Sequence, residues 1–337
     1  IVAGGVDFIE DEDLIPEENI VISLTHRGYV KRLPASTYRS QRRGGRGIQG
    51  MGTNEDDFVE HLVSCSTHDT VLFFSNKGKV YRAKGYEIPE FNRTAKGIPI
   101  INLLEIDKGE WINAVISVPE YKEDSYLFFT TKQGIAKRTS LARFANIRRG
   151  GLIALHLREE DELISVRMTD GSKQILIGTR NGYAIRFEEQ EIRAMGRTAA
   201  GVKGISLRDD DEVVSMEIVD ENVFVLNVTE NGYGKQTPIE EYRITRRGGK
   251  GIFTCNVTDK TGKVVALKTV TGEEDIMIMT VAGVLIRMGV QDISVTGRNT
   301  QGVRLIRLQD EERVATVAKV EPEEENEEVE EEESSEK

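Results

Sequence analysis

Arginine recurs in this chain at fixed distances from a recurring glycine. Four residues after that glycine stand Arg32, Arg82, Arg138, Arg186, Gln236 and Arg287, and fifteen after it stand Arg43, Arg93, Arg149, Arg197, Arg247 and Arg298. More cations crowd the second column: Arg42, Arg46, Lys96, Arg148, Arg246 and Lys250. A guanidinium is planar, charged at every accessible pH, and meets phosphate oxygens through two parallel N–H donors. In an array of repeats each column falls at one height and radius, so the columns describe circles of positive charge suited to a polyanion. The competing reading is structural, with the same arginines pairing with acids or bonding turn carbonyls to fix the geometry of the repeats.

Little else in the sequence could do chemistry. The four histidines, His26, His61, His68 and His156, form no suggestive spacing with carboxylates. Cys65 and Cys255 are too few for a disulfide framework or a four-ligand zinc site and read as reduced core thiols. No metal or cofactor site is expected. The longest apolar runs, such as Val71 to Phe74, fall far short of the roughly 20 residues that a membrane-crossing helix needs.

The net charge of −12 is uneven. Residues 321–337 hold eleven Glu and one Lys, so that tail carries −10 of it and the body is nearly neutral. So acidic a tail cannot bury enough apolar surface to offset its ordering entropy, and it is expected to be disordered. Between Ile20 and Asn54, by contrast, there are seven basic residues and no acid.

The elements that must position the arginines come in six copies. The phrase of strand, glycine turn and strand appears as ISLTHRGYVKR, LFFSNKGKVYR, LFFTTKQGIAKR, LIGTRNGYAIR, LNVTENGYGKQ and IMTVAGVLIR. Its turn glycines are Gly28, Gly78, Gly134, Gly182, Gly232 and Gly283, spaced 50, 56, 48, 50 and 51 residues apart. A second glycine follows in each copy: Gly47, Gly97, Gly151, Gly201, Gly251 and Gly302, 19 residues later in five copies and 17 in the third. Ten residues after each turn glycine comes a large apolar or aromatic residue, Tyr38, Ile88, Phe144, Ile192, Tyr242 or Ile293, expected in the core. Trp111 and the methionines are assigned to packing as well. The runs are short, β-branched and bounded by turn residues, so each copy reads as β throughout. Asn181-Gly182 and Asn231-Gly232 predict type I′ hairpins, in which both central residues take positive φ. Six all-β units of this length predict a six-bladed, propeller-like disc of four-stranded blades, an arrangement that leaves no long exposed edge.

No zinc-finger spacing, basic zipper or RNP motif is present, and the basic loops lack interleaved aromatics on which single-stranded bases would stack. Glycine-rich arginine loops offer charge to phosphates and nothing to base edges. The expected partner is therefore duplex DNA, held by its backbone without sequence readout and bent along a rim. Bending a short site by 40–90° costs roughly 1–6 kcal/mol, which many phosphate contacts must offset.

At Gln41, Arg42, Arg43, Gly44, Gly45, Arg46 and Gly47 the chain reads QRRGGRG. With the six repeats and the acidic tail, this motif resembles the C-terminal DNA-wrapping domain of the A subunit of DNA gyrase, a type IIA topoisomerase. RRGGKG at Arg246 to Gly251 and RRGG at Arg148 to Gly151 are partial echoes. The resemblance implies a six-bladed β-pinwheel over residues 20–320, preceded by a linker at 1–19 from a missing N-terminal part and followed by the tail. It implies that duplex DNA wraps the rim with positive handedness, enabling negative supercoiling. The parent enzyme would join two A and two B subunits and use ATP and Mg through the B subunits. Its DNA-cleaving tyrosine would lie outside this fragment, which would have no catalytic activity of its own, be monomeric in isolation, and work in the bacterial cytoplasm at the nucleoid. The motif could instead latch the first blade to the last, and the tail could compete with DNA for the rim or be inert. Three rivals stand beside this reading: the corresponding domain of topoisomerase IV, which would show a degenerate motif; a propeller scaffold for protein partners, like the chromosome-condensation regulators, which leaves the arginine columns unexplained; and a hydrolytic propeller, for which no residues are at hand.

Overall fold

The computed structural model describes residues 11–36, 57, 59–282 and 284–320. The first repeat supplies β1 (Asn19–Thr25), β2 (Tyr29–Pro34) and β3 (Val59–Ser66). The second supplies β4 (Thr70–Ser75), β5 (Lys79–Lys84), β6 (Ile98–Pro99) and β7 (Ile112–Val118). The third supplies β8 (Tyr126–Thr131), β9 (Ile135–Ser140), β10 (Leu152–Ile153) and β11 (Leu163–Thr169). The fourth supplies β12 (Gln174–Thr179), β13 (Tyr183–Glu188), β14 (Val202–Lys203) and β15 (Val213–Val219). The fifth supplies β16 (Phe224–Thr229), β17 (Tyr233–Pro238), β18 (Ile252–Phe253) and β19 (Val264–Val270). The sixth supplies β20 (Asp275–Thr280), β21 (Leu285–Gly289), β22 (Val303–Arg304) and β23 (Val314–Val320).

These strands form six antiparallel blades, and each blade borrows from the next repeat. The orders are β3-β1-β2-β6, β10-β5-β4-β7, β11-β8-β9-β14, β15-β12-β13-β18 and β19-β16-β17-β22; the sixth, β21-β20-β23, has three strands among the described residues. The borrowed strand is two residues long and always the outermost. The second glycine of the second to sixth repeats makes the borrowing possible. Gly201 sits at φ +83°, and a Cβ there would lie 2.6 Å from the Ala136 carbonyl oxygen, so only glycine lets β14 pair with β9.

The core lies between blades and within them. Ile88, Phe144, Ile192, Tyr242 and Ile293 are all buried, as their place in the repeat predicts, and Tyr38 lies outside the described residues. Phe74, Phe129 and Phe144 meet edge-on and tilted, with ring centroids 5.6–6.3 Å apart, sealing the second blade to the third. Two expectations need correction. Trp111 is 48% exposed and is no core residue. The hairpins are not type I′: Gly182 has positive φ but Asn181 does not. Three residues, Arg180 to Gly182, separate β12 from β13, and such a loop needs the left-handed conformation only at its last position. Cys255 is buried, Cys65 is half-buried, and both are free thiols.

The last strand of each repeat, β3, β7, β11, β15, β19 or β23, packs against its counterparts in neighbouring blades, toward the axis. Lys268 on β19 lies within electrostatic reach of Glu217 on β15, Arg167 on β11, Lys319 on β23 and Glu60 on β3, so blades from both ends of the chain converge there. Burial depresses the Lys268 ammonium pKa, with Glu217 the strongest opposing influence. Arg167 and Glu217 pair at 2.7 Å beside it. Residues 11–18, expected in the linker, lie against the first blade: the Pro16 carbonyl accepts from Thr67 Oγ1 at 2.8 Å, and Lys84 reaches Glu12 at 3.3 Å.

Candidate nucleic-acid interface

The second arginine column lies at the outer edge of the disc. Arg197 Nη1 donates to the Ile153 carbonyl at 3.4 Å, Arg247 Nη1 to Lys203 at 3.1 Å and Arg298 Nη1 to Phe253 at 2.9 Å. Those carbonyls belong to the last residues of the borrowed strands β10, β14 and β18. Each guanidinium is thus pinned on the outermost strand through Nη1; Arg247 Nε also donates to the Glu191 carbonyl at 3.4 Å and Arg298 Nε is buried, so the donors left for an anion are those of the terminal amino groups. Arg148, Arg246 and Lys250 stand exposed beside them.

Arg149 departs from this pattern. It keeps the fifteen-residue offset, but the third repeat is two residues shorter before its second glycine, so Arg149 falls out of register with the rim carbonyls. It is 90% exposed and meets Glu105 at 3.2 Å.

Buried lysines that the sequence reading passed over hold alternate loops. Lys31 Nζ donates to the carbonyls of Asn92, Arg93 and Ala95 at 2.7–3.2 Å. Lys137 Nζ donates to Ala154 and Arg197 at 2.6 and 2.5 Å, and Lys235 Nζ to Gly297 and Arg298, each at 2.7 Å. Each ammonium therefore grips the backbone of a rim arginine from the next repeat: Arg93, Arg197 or Arg298. Blades two and four carry Tyr81 and Ile185 at the same place, and blade six carries Ile286. Burial, reinforced by the nearby Arg197 charge, pushes the Lys137 ammonium down to about 7, and burial takes Lys235 down to about 8. The signal was present: a lysine in the middle of an apolar strand, three residues after the turn glycine, in alternate repeats.

The first arginine column is mostly committed to the seams between blades. Arg32 Nε donates to the Ile88 carbonyl at 2.6 Å and Arg138 Nε to Ile192 at 2.9 Å. Arg186 donates to the carbonyls of Ile239 and Tyr242 at 3.1 and 2.9 Å, and Gln236 to those of Val290 and Ile293. Their backbones are bridged to the next repeat as well, at Glu90, Ala194, Ile244 and Val295. Arg287 meets Asp275 at 2.7 Å. The expectation of a phosphate track is revised for Arg32, Arg138 and Arg186, whose donors already serve carbonyls and which are half-buried or, for Arg138, buried. Gln236 fits this column because an amide makes the same two bonds. Among the described residues Arg82 and Arg287 have no such bridge, and of the two Arg82 is exposed whereas Arg287 pairs with Asp275.

Aromatic rings stand on the strands beside the basic loops. Tyr183 stacks on the half-exposed Phe253 at 4.8 Å, with the Arg208 guanidinium 3.6 Å from the Tyr183 ring centre. Lys96 lies 3.9 Å over Tyr29, which places that cation but covers the ring. The motif from Gln41 through Arg42, Arg43, Gly44, Gly45 and Arg46 to Gly47, and the acidic tail 321–337, lie outside the described residues. Among the described residues no three or more His, Cys, Asp or Glu could together hold a metal ion, and no helix is long and apolar enough to cross a membrane.

Comparison with known proteins matches the repeats one by one. The family of the DNA gyrase C-terminal domain, a β-propeller, matches residues 19–66, 69–119, 125–170, 173–220, 224–271 and 274–321. The DNA gyrase A subunit of Halalkalibacterium halodurans is 66% identical over 323 residues, which are 96% of this chain and 39% of that protein. The DNA gyrase A subunit of Staphylococcus aureus strain MRSA252 is 56% identical over 320 residues, 94% of this chain and 36% of that protein. The chain thus spans about two fifths of the length of these relatives. Among solved structures, the C-terminal domain of DNA topoisomerase IV superposes with a TM-score of 0.80 at 26% identity, covering 91% of this chain and 94% of that one. The DNA gyrase A C-terminal domain superposes at 0.72 and 28% identity, covering 90% and 100%.

Proposed function

The chain belongs to the family of DNA gyrase C-terminal β-propeller domains, and on that premise we propose that it binds duplex DNA by its backbone, bends it and wraps it around the perimeter of the disc. The observation that carries this reading is the row of Arg197, Arg247 and Arg298, each pinned on the carbonyl of an outermost strand. A donor fixed at one edge and open at the other loses little entropy on meeting a phosphate, and repeated donors at one radius supply the many contacts that bending demands. The topoisomerase IV reading is weaker, since the full QRRGGRG motif is present and the gyrase relatives reach 66% identity.

In the whole protein, this wrapping would present a neighbouring stretch of the same DNA to a cleavage site located elsewhere, with two A and two B subunits and with ATP and Mg held by the B subunits. This fragment would supply no catalytic group. It would work in the bacterial cytoplasm, at the nucleoid. The test is duplex binding by the isolated chain as a function of salt. With 6–10 phosphates neutralised, affinity falls on the order of 10³–10⁵-fold between 50 and 200 mM salt. Binding that ignores salt, or no binding at low salt, refutes the proposal.

A further inference from the structure

Arginines from three successive repeats converge on one cavity. Arg82 comes from β5, Arg148 from the loop before β10 and Arg197 from the loop before β14, and with Asn146, Ile147 and Leu152 they line a space of about 360 Å³ at the outer edge. Among the described residues, the guanidiniums of Arg82 and Arg148 have no hydrogen-bonded or ion-paired partner, and that of Arg197 has one bond, to the Ile153 carbonyl. No acid lines the space, and Glu105 pairs with the neighbouring Arg149 at 3.2 Å.

The cavity has a cause in the sequence. At four other seams the residue four after the turn glycine is bridged to the following repeat, as Arg138 is to Ala194. In the third repeat the loop before the second glycine is two residues shorter, 17 instead of 19, and no such bridge reaches Arg82. The shortening releases the Arg82 guanidinium from the latch role of its column. Lys137 fixes the backbone of the third arginine, donating to the Arg197 carbonyl at 2.5 Å.

Three guanidiniums without a carboxylate among them repel one another and favour an anion with several acceptor oxygens. Each guanidinium can meet such oxygens through paired N–H donors. We propose that this cavity is a discrete phosphate-binding site. It clamps one phosphate group at a fixed point on the perimeter, between the second and fourth repeats, whereas the other rim arginines meet the backbone singly. The inference rests on the DNA-binding reading for its natural occupant, a phosphodiester of the wrapped duplex. A free phosphate compound offers the same chemistry.

The test compares the full chain with Arg82→Gln/Arg148→Gln. Both side chains are exposed or unpaired, so the fold should survive, and an unchanged melting temperature checks this; Arg82→Lys, which keeps the charge but loses the fork, is the second variant. Duplex binding is measured across 50–200 mM salt, and pyrophosphate binding is followed by NMR of the arginine side chains. Expected are an affinity loss of about 10-fold for the double variant, a slope of log affinity against log salt shallower by about 0.9 for the lost phosphate, and partial retention in Arg82→Lys. Pyrophosphate that shifts Arg82, Arg148 and Arg197 signals in the parent and not in the double variant shows the site taking phosphate from solution; a slope change without pyrophosphate binding shows that it takes phosphate only from the duplex. Both support the site. A double variant that keeps full duplex affinity and slope, with no pyrophosphate signal in the parent, overturns it while leaving wrapping intact. Failure of the parent to bind duplex at all overturns the reading beneath it.

Discussion

The ammonium of Lys137 lies 2.5 Å from the main-chain carbonyl of Arg197, sixty residues further along the chain. One buried cation thereby sets the position of an exposed one. The same relationship joins Lys31 to Arg93 and Lys235 to Arg298, so three of the five described arginines of that column are held from within by the preceding blade.

Removing the grip should loosen the rim more than the fold. Lys137→Met keeps an unbranched apolar stem, and blades two, four and six already carry uncharged residues at that place. It leaves two carbonyls unpaired, which costs about 1–3 kcal/mol. The expected result is a modest drop in melting temperature together with weaker duplex binding. Unchanged binding would show that the ammonium only fills space.

The same lysine gives a pH signature. Its folded pKa is about 7, against 10.5 ordinarily. Between these values the unfolded chain holds a proton that the folded chain has released, so stability relative to Lys137→Met should rise with pH across that window, by at most about 1.4 kcal/mol per unit. The penalty is full below pH 7. A stability difference that stays flat from pH 7 to 10 would place the ammonium charged in the fold.

The two arginine columns should separate cleanly. Arg186→Met strips bonds from Ile239, Tyr242 and Gln174 and should cost about 1.5–3 kcal/mol of stability, with the salt dependence of DNA binding kept. Arg247→Ala should do the reverse, leaving melting nearly unchanged and making the salt slope shallower by about 0.9. Urea denaturation and salt titration of both variants decide the matter.

Strand borrowing has its own test. Gly201→Ala forces a left-handed residue and a Cβ against the Ala136 carbonyl, and should cost more than about 2 kcal/mol. A variant as stable as the parent would mean that β14 can shift without loss.

Much of this was legible in the sequence, because repetition turns weak local signals into columns. The hairpins, the buried residues Ile88, Phe144, Ile192, Tyr242 and Ile293 ten after their turns and the all-β disc follow from spacing alone. The borrowed strands were hidden, since two residues such as Val202 and Lys203 carry no strand pattern and their glycine is needed for a contact with another repeat. The arginine columns were visible, but their roles were not. Whether a guanidinium faces a carbonyl or solvent depends on where the next repeat's backbone lies, and only the structure separates Arg138 from Arg82. The Arg149 offset misled for the same reason: counting from the turn glycine ignores two residues missing before the next one. Lys137 was overlooked because a lysine in a strand reads as solvent-facing until its carbonyl partners from other loops are in place.

The most direct test of wrapping is topological. The domain is incubated with relaxed circular duplex DNA, a nicking-closing topoisomerase is added, and the linking number is read on a gel. Wrapping around the perimeter predicts a positive shift that falls when Arg197, Arg247 and Arg298 are replaced together by Ala. A linking number that stays the same while the chain is fully bound would contradict wrapping, and would leave this disc as a surface that holds DNA without bending it around itself.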